Sequence, residues 1–236
     1  MGYKTLNLNM KKSKYLFPII TFLLSFGCAL FVAMKVFPNN PFSQTKTKQE
    51  NTLPDKIHDG DLIFQTSESS QCEAVRIATN SKFSHCGIIY NINGNWFVFE
   101  AVQPVKLTKL EEWIQHGKDH KYVIKRLKNA DTILTPAILE KMKDYSQNFM
   151  GKDYDAYFEW SDTRIYCSEL IWKIYKNGAN IELSKLKKLK DFNLTDPRVQ
   201  KIVKERYGND IPLDEKVVAP SDVVDSDLLK TIIDTY

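Results

Sequence analysis

Two apolar runs rich in β-branched and aromatic residues, Ser84 to Tyr90 and Trp96 to Val102, flank the dipeptide Asn93-Gly94. Runs of this kind joined by Asn-Gly predict a β-hairpin. If the turn has two residues, Ile92 pairs with Asn95 and Gly87 falls opposite Glu100. Residues 85, 87 and 89 then share a face with Glu100, because side chains alternate between the two faces of a strand. His85 and Glu100 become diagonal neighbours, within reach of each other, and glycine between them leaves the room.

Elsewhere the pattern changes period. Asp61 to Gln65 reads as a strand, and a helix capped by Ser67 or Ser70 should run to about Thr79. Thr108-Lys109-Leu110-Glu111 has capping-box spacing and predicts a short helix through Trp113 to His116. Tyr122 to Leu127 alternates as a strand. Thr135-Pro136 opens a longer helix that Gly151 should close. An aromatic loop follows to Thr163, and a helix from Cys167 is expected to stop at Asn177-Gly178, with a further helix over Asp196 to Tyr207. Strand and helix signals mix without βαβ alternation, so the class is α+β, an antiparallel sheet packed with helices.

The N-terminus carries a different signal. Tyr15 to Met34 is uncharged and apolar, with Lys4, Lys11, Lys12 and Lys14 before it and Lys35 after it. Twenty helical residues span roughly 30 Å, the thickness of a bilayer's hydrocarbon core. The upstream lysines hold the N-terminus inside. The expected organisation is a cytoplasmic tail (1–14), a transmembrane anchor or uncleaved signal (15–37), a polar linker (38–56) and one folded domain (57–236) facing outward. A cleaved signal peptide competes, but the run is long for one and no clean cleavage site follows.

At 236 residues the chain holds one core plus this appendage, and its net charge of +4 is scattered. Without a concentrated basic stripe, nucleic acid is excluded as a partner. Lys185 to Lys190, the densest basic run, reads as a solvated helix face or loop. Of the four cysteines, Cys72 and Cys86 could pair in an oxidising compartment, though two buried free thiols are the simpler expectation. A zinc site from His85, Cys86, Cys72 and Cys167 lacks any CxxC or HExxH spacing, and no metal or other cofactor is expected.

The chemistry concentrates at Cys167, where a turn-like segment gives way to an apolar helical run. The free N–H groups and positive dipole end of a helix start favour thiolate, the nucleophilic form. His85 supplies a base and Glu100 an orienter, the minimum set for cysteine-based acyl transfer. The Cys167 N–H is the natural oxyanion donor. Tyr166 supports the oxyanion or simply packs, and Tyr154 and Trp160 of the aromatic loop are candidates to line the substrate cleft.

Gly60-Asp61-Leu62-Ile63-Phe64-Gln65, Ser84-His85-Cys86-Gly87-Ile88 and Tyr166-Cys167-Ser168-Glu169-Leu170 occur in that order. The chain from about 57 to 236 thereby resembles the permuted papain-like amidases of the YiiX/YaeF type, relatives of the NlpC/P60 cell-wall hydrolases. The resemblance implies a circularly permuted papain-like fold, with Cys167 as nucleophile, His85 as base and Glu100 as third member. Cys86 departs from the pattern, since relatives usually carry a small apolar residue there. The expected activity is hydrolysis of an amide through a thioester at Cys167, on an envelope substrate such as a peptidoglycan peptide or an N-acyl or lipid compound. The alternative is a non-catalytic envelope module that binds a small amino-acid-like or peptide ligand in a papain-like cleft.

Overall fold

The computed structural model describes residues 52–236. The expected cytoplasmic tail, the membrane anchor and most of the linker lie outside the described residues. Among those described, no helix is long and apolar enough to cross a membrane.

The chain runs α1 (Leu53–Lys56), β1 (Leu62–Gln65), α2 (Ser70–Thr79), β2 (His85–Ile92), β3 (Asn95–Glu100), β4 (Lys106–Lys109), α3 (Leu110–Gln115) and β5 (Tyr122–Leu127). It continues through α4 (Ala130–Ile133), α5 (Pro136–Gln147), α6 (Cys167–Ala179), β6 (Lys187–Lys188), α7 (Pro197–Tyr207), β7 (Lys216–Val217), α8 (Pro220–Val224) and β8 (Leu229–Asp234). Six strands form one antiparallel sheet in the order β4-β3-β2-β1-β5-β8, and β6 and β7 make a small separate ribbon.

The two faces of the sheet are buried differently. Leu62, Phe64, Cys86, Ile88 and Phe99 point into a large core shared with Leu170, Ile171 and Ile174 of α6. Ile63, Ile89, Val98 and Ile124, the alternate positions, form a second core with Trp113 of α3. Burial on both faces explains why β1 and β2 read as continuous apolar runs rather than alternating ones.

The hairpin forms as its sequence predicts. Asn93 and Gly94 both have positive φ (52° and 82°), the type I′ requirement, and Ile92 pairs with Asn95. That register, continued from the Ile88↔Phe99 pair, sets Gly87 against Glu100. A Cβ on Gly87 would lie 2.3 Å from Val98 Cγ1, so this close approach admits only glycine.

Three local expectations are corrected. Thr108 is no helix cap; it sits inside β4, opposite Val98, and α3 starts two residues later. Cross-strand burial outweighed the local capping pattern, since the Thr108 hydroxyl finds a partner on β3 instead. Asn177-Gly178 does not end α6, which continues to Ala179 and is closed by Asn180 in the left-handed conformation (φ 57°). Gly178 instead lets α5 come close: a Cβ there would be 2.5 Å from Met142 Cγ. The cap of α2 is Ser69, whose hydroxyl accepts from the Cys72 N–H. The lysines of the Lys185–Lys190 run are solvated on and beside β6, where Lys187 meets Asp222 while Lys188 and Lys190 share Asp214, and Leu189 between them turns into the core.

Candidate active site

The site is built where the first residue of β2, the last of β3 and the first of α6 converge. Glu100 is 3% exposed, and its carboxylate accepts three hydrogen bonds. His85 Nε2 lies 2.5 Å from Oε2, Trp113 Nε1 donates to the same oxygen at 2.8 Å, and the Thr108 hydroxyl donates to Oε1 at 2.5 Å. The indole of Trp113 also stacks on the imidazole, with ring centroids 5.8 Å apart. The donors come from β2, β4 and α3, so the carboxylate is fixed from three elements at once.

With Nε2 committed to Glu100, Nδ1 of His85 is left for the Cys167 thiol, and the two groups are close enough to shift each other's protonation. Cys167 is buried at the start of α6, behind the extended residue Tyr166. The thiol and backbone N–H of Cys86 also lie beside its sulfur. Cys86 lies on the opposite face of β2 from His85, and Cys167 meets both at the strand's end.

Donation from Cys86 and from His85 holds the Cys167 thiol well below the usual thiol range, although burial opposes it. Burial likewise opposes charge on His85, yet the hydrogen bonds to Cys167 and Glu100 raise it to about 10. Glu100 is lowered against its own burial by the hydrogen bond to His85 and by the imidazolium charge. Burial and the neighbouring Cys167 push Cys86 well up, so it stays a neutral donor. These directions all favour a thiolate beside an imidazolium.

The remaining predicted residues fall in different places. Tyr154 borders the site, its hydroxyl accepting from Gln71 Nε2 at 2.9 Å. Tyr166 is buried, and its hydroxyl oxygen accepts the Val218 N–H at 3.2 Å. Trp160 lies away from the site, edge-on to Trp172 at 5.3 Å and beneath the Lys173 ammonium. Sequence reasoning missed Thr108 and Trp113, the two further partners of Glu100. It also missed the approach of Cys86 to Cys167. Cys72, Cys86 and Cys167 are all free.

An antiparallel sheet carrying a histidine, with a helix that begins at a cysteine packed across it, is a papain-like α+β arrangement. The chain belongs to the family described as permuted papain-like amidase enzyme, YaeF/YiiX, C92 family, whose profile matches residues 56–233. Membership makes it an amidase-like hydrolase. It is 44% identical over 173 residues to a protein of Escherichia coli K12 named uncharacterized protein YiiX, covering 73% of this chain and 84% of that one. Among solved structures it is similar to one described as metalloprotein YiiX from Escherichia coli O157:H7, with 43% identity and a TM-score of 0.73. That match covers 77% of this chain and 99% of the other.

The word metalloprotein belongs to that relative. Here the residues do not fit a metal: among the described residues no group of three or more His, Cys, Asp or Glu side chains could hold one. Glu100 is saturated by three donors, and its bond takes up His85 Nε2.

Proposed function

We propose that this protein is a membrane-anchored cysteine amidase that cleaves an amide through a thioester on Cys167. The thiolate attacks the carbonyl carbon, and the oxygen charge is taken by the Cys167 N–H at the open start of α6. His85, already protonated, gives its proton to the leaving nitrogen as the C–N bond breaks. Water then attacks the thioester, His85 takes a proton from it, and the acid leaves as thiolate is restored. Glu100 holds the imidazolium throughout.

The observation that carries this reading is the buried chain from Cys167 through His85 to Glu100, with the carboxylate held by Thr108 and Trp113. A core histidine needs no such arrangement, and a binding module would have no use for a thiolate. Incubation with an envelope extract, followed by mass spectrometry of the Cys167 peptide, tests it. An acyl adduct on wild type that is absent from Cys167→Ser is expected. A folded protein whose Cys167 stays unmodified by extract and by iodoacetamide alike would leave the binding-module reading as the better one.

The lysine-flanked apolar run supports a domain that faces outward from a bacterial cytoplasmic membrane, beside envelope amides. The chain should sediment with membranes and be cut by protease added outside. Release by salt alone, or protection from that protease, would contradict the topology.

A further inference from the structure

We propose that the cleft beside His85 binds an anion carried by the amine half of the substrate, a carboxylate or phosphate set between the start of α2 and Lys106. This rests on the hydrolase reading and specifies its leaving group, because the released nitrogen must lie within reach of His85, which protonates it. The cleft measures about 560 Å³, within the range of small-molecule sites, and its wall includes Ser69, Gln71, Lys106 and His116 beside His85 and Glu100. Glu100 is the one carboxylate in that wall, and it is spent on His85, Thr108 and Trp113. Lys106, exposed on β4, has no ion-pair partner among the described residues.

The first turn of α2 borders the same space. Ser69 Oγ takes the Cys72 N–H and the Ser69 carbonyl takes that of Glu73. Ser70 and Gln71 keep free N–H groups at the positive end of the helix dipole. Glu73, the acid of that turn, is paired with Arg198.

Gln65 gives the independent sign of a ligand. It ends β1 opposite His85, shares the histidine's face of the sheet and is 1% exposed. Its Oε1 rests against Gly117, where a Cβ would lie 2.4 Å away, and has no hydrogen-bond partner among the described residues. The amide nitrogen is left for the cleft that the residue lines. A buried carboxamide with no partner of its own calls for one.

What remains unspent in the cleft decides the charge of its occupant. The side chains of Gln71 and Gln103 are engaged elsewhere, on the Tyr154 hydroxyl at 2.9 Å and on Asp153 at 2.5 Å. The Lys106 ammonium, the helix-start N–H groups and the Gln65 amide nitrogen are left, and all of them donate. An ionised carboxylate or phosphate only accepts, and its bonds to charged donors are the stronger kind. A cationic amine half would meet Lys106 and the helix start with like charge. An apolar one would leave the Gln65 amide unpaired.

The test uses the full-length chain in phosphatidylcholine nanodiscs, which carry no net charge, and reads the rate at which iodoacetamide alkylates Cys167. The probes, at constant ionic strength, share an acetyl group and differ in the amine half. N-acetylglycine and N-acetylphosphoethanolamine carry an anion there; N-acetylglycinamide and N-acetylethanolamine are their neutral counterparts. At least one anionic probe should protect Cys167 at a concentration about three- to thirtyfold below that of its counterpart. A difference within the glycine pair names a carboxylate, and one within the phosphoethanolamine pair a phosphate. Lys106→Met and Gln65→Leu should each shrink the ratio and Lys106→Arg should keep it, with thermal unfolding showing the variants folded. Should Gln65→Leu not fold, the exposed Lys106 decides alone. Equal protection by charged and neutral probes, no protection by any of them, or a ratio that Lys106→Met does not move overturns the anionic assignment and, with Cys167 still alkylated, leaves the hydrolase standing. An inert Cys167 overturns both.

Discussion

Thr108 and Glu100 sit on neighbouring strands, diagonal to one another across the Phe99↔Leu107 pair, and the threonine hydroxyl donates to the carboxylate at 2.5 Å. With Trp113 on the other oxygen, this bond keeps Glu100 ionised and aimed at His85 in a place where a free carboxylate would be costly. Thr108→Val keeps the shape and removes the donor. It should lower kcat/KM about fivefold, the worth of one hydrogen bond of about 1 kcal/mol. Glu100→Gln should cost about 100-fold or more, since the imidazolium loses its counter-charge. Thermal unfolding should show both variants folded; equal loss of stability and activity in Thr108→Val would make the threonine merely structural.

The pH dependence follows from the ion pair. His85 is raised from 6.5 to about 10, so the stabilisation it gains from its partners is full below 6.5 and is lost as pH rises through about 10. Hydrolysis should hold a plateau whose alkaline limb falls near 10, where the leaving amine loses its acid. On the acid side Cys167 should still be alkylated by iodoacetamide below the usual thiol range, as site-resolved mass spectrometry would record. His85→Ala should remove that acid reactivity, and a profile that rises only above pH 8 in wild type would contradict the ion pair.

Cys86 makes a separable contribution. Its thiol and backbone N–H both favour the Cys167 thiolate, and only the first is lost in Cys86→Ala. The acid limb of Cys167 alkylation should therefore move up in Cys86→Ala, but by less than in His85→Ala. An unchanged limb would mean that the thiol contact has no electrostatic consequence.

How much of this was legible beforehand differs from residue to residue. Asn93-Gly94 fixed the His85 and Glu100 faces because a two-residue turn allows one register, and the helix start at Cys167 was readable from the change of pattern around it. Thr108 and Trp113 were not readable as site residues. Their partner lies 8 and 13 positions away, and the local pattern at 108–111 matched a helix cap that long-range pairing displaced. Gly178 misled for a related reason: its small size serves the contact with Met142, which no local pattern reports. β8 was missed because its burial is supplied by β5, far back in the chain.

Gly87 is the steric hinge of the hairpin face that carries the pair. Gly87→Ala would bring a Cβ to 2.3 Å from Val98 Cγ1 and 2.9 Å from the Phe99 carbonyl oxygen. Backbone cannot yield as a side-chain tip can, so a loss of at least about 1–3 kcal/mol is expected by denaturant unfolding. Because the strain separates β2 from β3 next to Glu100, turnover should fall too. Wild-type stability in Gly87→Ala would contradict the packing at this pair.

Glu169, the third residue of α6, tests burial without catalysis. It is fully buried, and burial raises it from 4.5 to about 8 despite Lys173 Nζ at 2.8 Å; neither carboxylate oxygen has a well-directed hydrogen bond. A raised pKa in the folded state means that folding takes up a proton across the window from 4.5 to about 8, so stability should fall as pH rises through it. Glu169→Gln removes that dependence. Melting curves should place the variant above wild type at pH 8 and close the gap toward pH 5. Lys173 keeps Asp162 as a partner in the variant, so the comparison reads the buried carboxylate itself. A gap that widens as pH falls would have the opposite sign and would mean that Glu169 is held ionised by Lys173 throughout.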